Sequence, residues 1–521
     1  MANISLSQSF QDLFADFQEL EYLAVSYRQK LQQFVKDVEK TKKYILPSTL
    51  LFVTSEAEKY LSRLEKILTQ LSLLKTQCRE KYSESHLQRL IGGKRKMKDL
   101  LRSISGLLST LITSTDWQSP SIDYSVFPTS GKQAGKTIGG INDYKRDTHI
   151  DAQVFEKLYL KEYVDAPFKF LVHAYAVNSG MAAFSTILNF LLMEGKLNSG
   201  VLIGKNVYFQ NKELLTSVIK KRLIEIEEWN TEKIIKVIRK KKPGVVYFDA
   251  LSTSVNTAMP NIPAIIQEIL RSASRRTQDD IYFLIDISCL SASFQIWKEV
   301  IGKSRKFHCI VFESLNKFSQ FGLDREMGGI ILAYGKDTGN LFEYRKNSGT
   351  IITHNSVYAI PTPNKKKLLK RIERHERNTK ILAEKLQMYI DEHPYSAIEK
   401  IWYPGLPSHP SFPYTKNLRF KGTFFSLQFK RILQSKRKYQ QFINLVLTEA
   451  KNQNVPIIEG TSFGLDTTRI YLAAAYTIHA LPFIRIAVGT ETIIEIEKIA
   501  GVLIGSMNTF THRLRTKIPF L

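Results

Sequence analysis

From about residue 165 onward, short apolar runs alternate with amphipathic segments, and this alternation limits the fold more than any other feature. The runs GVLIG, GVVYFDA, YFLIDIS, CIVF and GGIILAY have the length of buried strands, and SGMAAFSTILNFLLM and IPAIIQEILRSA have helical spacing. The pattern favours an α/β domain whose mostly parallel sheet is covered on both faces. Ligands of such sheets bind at the carboxyl ends of the strands. We therefore expect Asp249, Asp286 and Lys317 at a ligand-binding edge.

Shifts in composition divide the chain into four predicted segments. Residues 1–115 contain amphipathic helical stretches separated by LPST and IGG, which favours a helical hairpin or small bundle. Residues 116–164 are rich in Ser, Gly and Pro and predict a linker and N-terminal arm. Residues 165–365 form the predicted α/β large domain. Residues 366–521 begin with a long helix and continue with strands such as TFFSLQFK and FIRIAVG, which predicts a smaller C-terminal α+β domain.

Several classes of protein are disfavoured. No apolar run approaches the ~20 residues of a membrane-spanning helix, so we expect no membrane partner. The first residues, MANISLSQSFQDLF, lack the basic segment and apolar core of a secretory signal. Cys78, Cys289 and Cys309 are the only cysteines, too few for a disulfide framework, and no Cys/His spacing predicts a metal site. We therefore expect a protein of the reducing cytoplasm.

The formal net charge of +25 raises the question of a nucleic-acid partner. Basic clusters such as IRKKKPG, NKKKLLKRIERHER and KRILQSKRKYQ are compatible with nucleic-acid binding or with solvated lysine-rich faces. No aromatic-interleaved motif of a nucleic-acid module accompanies them. We favour solvated faces and keep nucleic acid as the alternative.

Three features near predicted strand ends each have two interpretations. Ser179, Gly180 and Met181 open a helix and form either a phosphate-binding turn or a plain serine N-cap. Asp286 ends the strand YFLID, where a carboxylate needs a partner, or else caps the next turn. Lys317 follows the next strand and either binds a ligand or is an ordinary surface lysine.

Taken together, these features match the needs of pyridoxal 5'-phosphate (PLP). Lys317 is placed to form the Schiff base, and Asp286 to keep the pyridine nitrogen protonated so that the ring accepts electrons. The helix terminus at Ser179 is placed to hold the phosphate, and Ser314 adds a hydroxyl to it. We therefore predict PLP as the cofactor.

The stretch from about Tyr144 to Gly505 resembles the Cys/Met-metabolism family of fold-type-I PLP enzymes, the group of cystathionine γ-synthase, the cystathionine lyases and methionine γ-lyase. The likeness rests on stretches in family order: YKR with Tyr144 and Arg146, SGMAA, NVYFQN with Tyr208, FDALSTSVN with Asp249 and Asn256, LIDIS with Asp286 and Ser288, and ESLNK with Ser314, Asn316 and Lys317. The resemblance implies that Tyr208 stacks on the cofactor ring. It also implies that Tyr144 and Arg146 reach the phosphate of a neighbouring subunit.

The C-terminal part carries further likenesses. WYPGLPSHPSF resembles a Tyr-Pro-Gly-Leu stretch, and RIERHERNTKILAEKL resembles an Arg-His-x-x-Asn helix of the family. The segments around Ser462 and Arg485 resemble the two that hold the substrate carboxylate, with Asn256 as a further contact. An arginine fork suits a carboxylate because it forms two parallel hydrogen bonds.

Some positions depart from the family pattern. The family's Tyr-Gly-Gly-Thr is Tyr208-Phe209-Gln210-Asn211 here, which places bulk near the cofactor face. The threonine before the lysine is Asn316, so the phosphate loses one hydroxyl. The helical N-terminal region is also longer than is general in the family.

The resemblance implies a fold-type-I PLP-transferase and a lyase or transferase similar to cystathionine γ-synthase or γ-lyase. We expect it to make or break a C–S bond by β/γ-elimination or γ-replacement on a Cys-, Met- or homoserine-type amino acid, with Lys317 as base and Tyr208 moving protons. A homodimer or homotetramer with shared sites is implied. The alternative is a PLP-binding or repurposed non-catalytic protein that interacts through its basic surface or helical N-terminal region.

Overall fold

The structure is a computed structural model and describes residues 2–42, 47–80, 83–114, 132–133, 136–137, 145–147, 149–219, 222–274, 280–474 and 481–516. Within these ranges the α-helices, in chain order, are α1 (Ala2–Thr41), α2 (Pro47–Gln77), α3 (Glu84–Thr113), α4 (Ile150–Tyr163), α5 (Gly180–Met193), α6 (Phe209–Val218), α7 (Thr231–Lys241), α8 (Ile262–Ser274), α9 (Trp297–Val300), α10 (Leu341–Asn347), α11 (His354–Ala359), α12 (Lys365–Glu392), α13 (Phe412–Thr415), α14 (Lys436–Asn452) and α15 (Ile493–Arg515).

The β-strands of the same ranges, in chain order, are β1 (Lys132–Gln133), β2 (Lys136–Thr137), β3 (Val172–Val177), β4 (Val201–Gly204), β5 (Leu223–Ile226), β6 (Val245–Asp249), β7 (Ile281–Asp286), β8 (Phe307–Ser314), β9 (Gly329–Tyr334), β10 (Ile398–Trp402), β11 (Phe424–Phe429), β12 (Ile457–Glu459), β13 (Thr468–Ala473) and β14 (Phe483–Ala487). No helix of the described ranges has both the length and the apolar character needed to cross a bilayer.

The chain forms two compact units. Unit 1 consists of residues 1–191 and 312–365, and unit 2 consists of residues 192–311 and 366–521. The chain passes from unit 2 to unit 1 within β8, between Val311 and Phe312.

Unit 1 contains the helical N-terminal region that the sequence predicts, formed by helices α1, α2 and α3. The predicted break at IGG is wrong, because Ile91, Gly92 and Gly93 lie inside α3. Side chains at three- and four-residue spacing along α1 are fully buried, because this spacing places them on one face of a helix. They include Leu13, Phe17, Leu20, Ala24 and Tyr27. The three helices pack on one another, so this part of the chain is a bundle and not three separate arms.

Polar side chains of α1 bind the last two residues of α11 and the residue that follows it, in the same unit. The Tyr27 hydroxyl donates to the Ala359 carbonyl at 2.8 Å. The Lys30 ammonium donates to the carbonyls of Tyr358 at 2.7 Å and Ile360 at 2.6 Å. Each bond satisfies a backbone oxygen at the C-terminal end of α11, where the last carbonyls have no partner within the helix. The bundle is therefore fastened to residues that lie about 330 positions later in the chain.

Unit 1 also contains the neighbouring strands β3 and β9. β3 and β9 are antiparallel, with Val177 opposite Gly329. Helix α4 packs on β3 and occupies residues inside the range 116–164, where the sequence predicts linker and arm. The spacing of Phe155, Tyr159 and Tyr163 buries one side of α4, a pattern hidden by the Ser- and Gly-rich residues before it.

Unit 2 contains a run of neighbouring strands in the order β7-β6-β4-β5. The pairs β4–β5, β4–β6 and β6–β7 are parallel, as the alternation of apolar runs and helices predicts. Every residue of β4 and β6 is buried, which explains why both read as continuous apolar runs. The strand register places the ends of β6 and β7 side by side, with Asp249 opposite Asp286.

Unit 2 also contains a second sheet of five strands in the order β10-β11-β14-β13-β12. All of its pairs are antiparallel except β12–β13. Its apolar face forms a core with α12, α14 and α15, to which Leu386, Phe442 and Leu503 contribute. The α+β character predicted for the C-terminal part is therefore present, and it places β14 with Arg485 in the middle of a covered sheet.

Candidate functional site

The lysine that the sequence singles out lies just after β8. Ser314 ends this strand, and Lys317 precedes a single 3-10 turn, Phe318–Gln320. The backbone of Lys317 has φ −105° and ψ −108°, outside the common regions for an L-residue.

The predicted phosphate-binding turn lies in the same unit. The Ser179 hydroxyl accepts from the Ala182 backbone N–H at 3.0 Å, so its side chain is the N-cap that the simpler interpretation predicts. The first N–H groups of α5 have no partners within the helix and point toward its N-terminal end. The cap and the anion-binding turn are therefore compatible here.

Glycines let the backbone crowd together at this turn. A Cβ on Gly180 would lie 2.9 Å from the Ser314 Cβ, and one on Gly329 would lie 2.3 Å from the Ser179 carbonyl oxygen. The α5 N-terminus thus lies against the end of β8 and the start of β9. Ser314, predicted to add a hydroxyl to the phosphate, is next to the helix terminus predicted to hold it.

Asn316, at the family's threonine position, has a structural partner. Its Oδ1 accepts from the Gly328 backbone N–H at 3.0 Å and so closes the loop between β8 and β9. Its role toward a phosphate stays a prediction.

Unit 2 carries the two carboxylates predicted at strand ends. Asp286 accepts the Ser288 backbone N–H on Oδ1 at 2.8 Å, which fixes the turn after β7. Burial first, and the neighbouring Asp286 charge second, raise the pKa of Asp249 well above its usual range. Hydrogen bonds to Asp249 from the Tyr247 hydroxyl at 2.9 Å and the Tyr208 backbone N–H at 2.7 Å act in the opposite direction.

Tyr208 stands immediately before α6. Its hydroxyl donates to the Gln210 Oε1 at 2.9 Å, a contact made possible by the departure from the Gly-Gly-Thr pattern. Burial raises the pKa of Tyr208, and Asp286, Tyr471 and Asp249 add to the increase while Arg485 opposes it. The phenol therefore keeps its proton at neutral pH. Because Asp286 and Arg485 both affect the pKa of Tyr208, the three side chains lie in one neighbourhood of unit 2.

A hydrogen-bonded chain that the sequence did not reveal supports this neighbourhood. Asn211 Nδ2 donates to the Tyr247 hydroxyl at 2.8 Å, and this hydroxyl donates to Asp249. Asn211 is another of the departures after Tyr208, and here it holds Asp249 in place. The inward position of Tyr247 within the fully buried strand β6 was the available signal.

Arg485 is predicted to bind a substrate carboxylate, and it lies 7% exposed in the middle of β14. Its guanidinium carbon lies 4.9 Å from the ring centre of Phe424, 5.6 Å from Tyr471 and 5.5 Å from Phe483. Nη1 donates to the Tyr471 hydroxyl at 2.7 Å, and Nε has no hydrogen-bond partner among the described residues. A guanidinium forms its strongest hydrogen bonds with anions. Binding of a substrate carboxylate by Arg485 stays a prediction.

The Ser462 segment is linked to Arg485 through aromatic rings. Phe463 lies 5.2 Å, centre to centre, from Phe424, the ring that contacts Arg485. Ser462 has φ +74°, a left-handed backbone that is uncommon for serine. Arg371 Nη2 holds the same loop by donating to the Gly464 carbonyl at 3.0 Å.

The family-like helix α12 fixes the chain after β14. His375 Nδ1 lies 2.9 Å from the Val488 carbonyl, and Asn378 Nδ2 donates to the carbonyls of Gly489 at 3.1 Å and Glu491 at 2.9 Å. The stretch that resembles Arg-His-x-x-Asn therefore supports the sheet end that carries Arg485, although it makes no contact with Arg485 itself among the bonds described.

Asn256 has partners for its side-chain oxygen and for its backbone carbonyl. Its Oδ1 accepts from the Ser254 hydroxyl at 2.5 Å, and its carbonyl lies 2.8 Å from Nε2 of His409. His409 belongs to the stretch WYPGLPSHPSF, so this likeness holds the Asn256 turn. A contact of Asn256 with substrate stays a prediction.

The predicted residues are distributed over both units. Ser179, Gly180, Met181, Ser314, Asn316 and Lys317 belong to unit 1, and Tyr208, Asp249, Asn256, Asp286, Ser288, Ser462 and Arg485 belong to unit 2. Tyr144 lies outside the described residues. Arg146 is exposed and its Nε lies 3.2 Å from the Asp147 carboxylate.

The family model for Cys/Met metabolism PLP-dependent enzymes matches residues 124–498. The chain belongs to this family. The match includes the Lys317 loop, the α5 turn and the Asp286, Tyr208 and Arg485 neighbourhood. It begins after the three-helix bundle of unit 1, which is therefore an addition to the matched part.

A curated protein is also similar to this chain. The bifunctional enzyme flvA of Aspergillus flavus is 23% identical over 426 residues, which are 80% of this chain and 48% of that protein. The chain thus spans about half the length of this curated relative.

Solved structures show the same fold. Cystathionine gamma synthase of Xanthomonas oryzae pv. oryzae is 14% identical with a TM-score of 0.54, and the match covers 72% of this chain and 92% of that one. Cystathionine gamma-lyase of Lactobacillus plantarum is 20% identical with a TM-score of 0.54, and covers 72% and 91%. The methionine gamma lyase CalE6 of Micromonospora echinospora is 17% identical with a TM-score of 0.53, and covers 70% and 88%.

The cofactor of this family of enzymes is PLP, and the residues present fit it. Unit 1 supplies a lysine just after the end of β8 and a helix N-terminus whose Gly180 lies against Ser314. Unit 2 supplies the Asp286 carboxylate at a strand end and Tyr208, whose pKa this carboxylate raises. These are the donor types that a Schiff-base aldehyde, a phosphate, a pyridine nitrogen and an aromatic ring require.

Proposed function

We propose that this PLP-dependent enzyme acts in sulfur amino-acid metabolism and makes or breaks a C–S bond. The reaction is β- or γ-elimination or γ-replacement on a Cys-, Met- or homoserine-type amino acid. The observation that carries the proposal is the Arg485 guanidinium, which is buried among three aromatic rings, held by Tyr471 and has its Nε unpaired among the described residues. A carboxylate-bearing ligand is a suitable partner for the unpaired side of that fork.

Each residue has a proposed role at a stated atom. Lys317 Nζ binds the cofactor and later takes and returns the Cα proton of the substrate. The Asp286 carboxylate holds the proton of the pyridine nitrogen, and the N–H groups of Gly180 and Met181 bind the phosphate. When bound, PLP supplies an electron sink for the carbanion formed at Cα. Arg485 orients the substrate through its carboxylate.

Tyr208 is proposed to give a proton and not to take one. Because burial and neighbouring carboxylates raise the pKa of its hydroxyl, the phenol form dominates at neutral pH. A neutral phenol can protonate a departing thiolate or alkoxide at Cβ or Cγ. Gln210 Oε1 accepts the hydroxyl hydrogen at 2.9 Å and so sets the resting direction of this proton.

Assembly and location follow the family likeness. We propose a cytoplasmic homodimer or homotetramer in which Tyr144 and Arg146 serve the site of a neighbouring subunit. Mixing Lys317→Ala with Arg146→Ala tests this sharing, because a shared site lets one intact set of residues form and restores part of the activity. No recovery in mixed oligomers would contradict the sharing.

Absorption spectroscopy tests the function. The purified protein with PLP should show a visible band from the Schiff base, and Lys317→Ala should not. Lys205→Ala is the matched control because Lys205 Nζ forms an exposed ion pair with Glu227 at 2.7 Å. Borohydride reduction followed by peptide mapping should place the cofactor on Lys317.

Substrates are then added one by one. L-cystathionine, L-methionine, L-cysteine and O-acyl-homoserines are tested for a change of the band and for release of keto acid or thiol. The amino acid that gives both names the substrate class. A band that forms on Lys317 but responds to no amino acid supports the non-catalytic alternative, and no band at all refutes the role of Lys317.

A further inference from the structure

The third helix of the bundle lies against the loop that follows Lys317, within unit 1. Lys98, Arg102 and Gly106 come at intervals of four residues along α3 and so lie on one face of the helix. The Lys98 ammonium donates to the Phe321 carbonyl. Arg102 Nη2 donates to the Asp324 carbonyl at 3.3 Å. At Gly106 a Cβ would lie 2.7 Å from the Arg325 Nε, so this glycine makes room for the Arg325 guanidinium.

The two carbonyls that α3 binds belong to the two strained residues of the loop. Phe321 has φ +51° and Asp324 has φ +46°, although neither is glycine. A left-handed backbone is unfavourable for such residues and persists only where contacts enforce it. The residues with a left-handed backbone are the same residues whose carbonyls accept hydrogen bonds from α3. The bundle therefore takes part in holding the loop in this conformation.

Contacts from α1 and from within the loop act on the same residues. The Tyr22 ring of α1 lies 5.4 Å from the ring of Phe321, which is fully buried. Glu19 of α1 approaches Lys98 Nζ at 3.4 Å and so orients the ammonium. Inside the loop, Gln320 Nε2 donates to the Leu315 carbonyl at 3.1 Å. Leu315 is only two residues from Lys317, so the position of Phe321 is coupled to the backbone that carries the lysine.

We propose that α1 and α3 form a clamp on residues 318–325 that positions Lys317, and that Lys98 is its main positioning residue. This rests on the proposed function, because the role of Lys317 is part of that proposal. Without the Lys98 hydrogen bond, Phe321 relaxes toward a common backbone conformation and the lysine backbone shifts with it. Helices α1 and α3 then act on the proposed site through the loop that follows Lys317.

Lys98→Met tests the clamp because methionine keeps an unbranched apolar stem and removes the ammonium. Lys75→Met is the matched control, since Lys75 pairs with Glu21 of α1 at 2.5 Å and makes the same charge change without a described contact to the loop. Lys98→Arg restores a donor. Arg102→Met is the second variant, because its side chain is exposed and its removal leaves the buried contacts of the bundle intact.

Three measurements are compared among these variants. Hydrogen exchange of peptides covering 315–326 is followed without PLP. The pH titration of the lysine–PLP band and the PLP dissociation constant are followed with it. Lys98→Met should exchange about tenfold faster in the loop, shift the pH midpoint of the band and weaken PLP binding about tenfold, as expected for a lost charged hydrogen bond. Lys98→Arg should recover most of each effect, and Arg102→Met should show smaller changes in the same direction.

The outcomes separate the two proposals. If Lys98→Met matches Lys75→Met in all three measurements, the clamp is refuted. If loop exchange rises but the band and PLP affinity stay unchanged, the contact is structural and the positioning role is refuted. If the wild type forms no lysine–PLP band, the proposed function is refuted. The positioning role is then refuted as well, whatever the loop exchange shows. Should Lys98→Met not fold, the same comparisons made with Arg102→Met decide the matter.

Discussion

Replacing Gly329 with alanine tests whether the α5 turn holds the cofactor phosphate. The added Cβ would lie 2.3 Å from the Ser179 carbonyl oxygen and 2.9 Å from the Gly180 nitrogen, whereas ordinary contact begins at 3.4 Å. These neighbours are backbone atoms and cannot rotate away. The turn must therefore move by about an ångström, at a cost of about 1–3 kcal/mol of folding free energy for an overpacked site.

The effect on PLP follows from the atoms that move. The displaced turn carries the first N–H groups of α5, which are proposed to bind the phosphate. Losing one charge-assisted hydrogen bond costs about 1.5–3 kcal/mol, so PLP affinity should fall about 10- to 100-fold. The assay is titration of the apo protein with PLP, followed by the absorption of the lysine-bound form, with melting temperature recorded in parallel.

Two glycine variants make the result interpretable. Gly180→Ala is milder, because its Cβ would lie 2.9 Å from the Ser314 Cβ, and it should weaken PLP less than Gly329→Ala does. Gly92→Ala in α3 meets nothing within 4 Å and should leave PLP binding unchanged. It should also raise stability by up to about 1 kcal/mol, as expected in a helix interior. Wild-type PLP affinity in folded Gly329→Ala would refute the assignment of the phosphate to this turn.

Three other substitutions have outcomes that the structure sets. Arg485→Lys should raise KM for the amino acid about tenfold or more with little change in kcat, because the charge remains but the planar fork is lost; steady-state kinetics check this, and an unchanged KM would exclude Arg485 as the carboxylate site. Tyr208→Phe should lower kcat about 10²-fold while PLP binding persists, and full activity would remove its acid role. Burial lowers the pKa of His375 to about 3 from its ordinary value of 6.5, so the neutral ring stabilises the fold above pH 6.5 and that contribution is lost as pH falls toward 3. Between about pH 7.5 and about pH 5 this loss is about 2 kcal/mol, so urea midpoints should fall more for the wild type than for His375→Gln, and equal falls would contradict the argument.

The strands that bear the candidate site could be predicted because each is a continuous apolar run. Burial on both faces removes the polar alternation, so β4, β6 and β7 are visible in the sequence and are confirmed. β3, with the sequence VHAYAV, and β5, with LIEI, were not predicted. The second residue of β3 is exposed, and most residues of β5 are accessible to solvent. Neither strand therefore forms a continuous apolar run in the sequence.

The residues around Arg485 show where sequence reasoning stops. Arg485 itself was found by resemblance, but Tyr471 is its partner only because β13 and β14 pair with these two residues opposite each other. Register of this kind is set by contacts across the sheet and leaves no local mark. The same holds for Asn211, whose link to Asp249 passes through a hydroxyl on another strand.

The fastening of α1 also has a consequence for synthesis of the chain. Lys30 and its acceptor Tyr358 are separated by 328 residues, a length that a ribosome needs roughly 15 to 65 s to make at ~5–20 residues per second. During that interval the bundle, whose own contacts are local, can already fold, but its acceptors do not yet exist. The face of α1 that later binds these carbonyls presents the hydroxyls of Tyr22 and Tyr27 and the ammonium group of Lys30. Water satisfies such groups until the carbonyls of residues 358–362 have been made, so the polar groups that later bind them do not have to stay unpaired in the meantime.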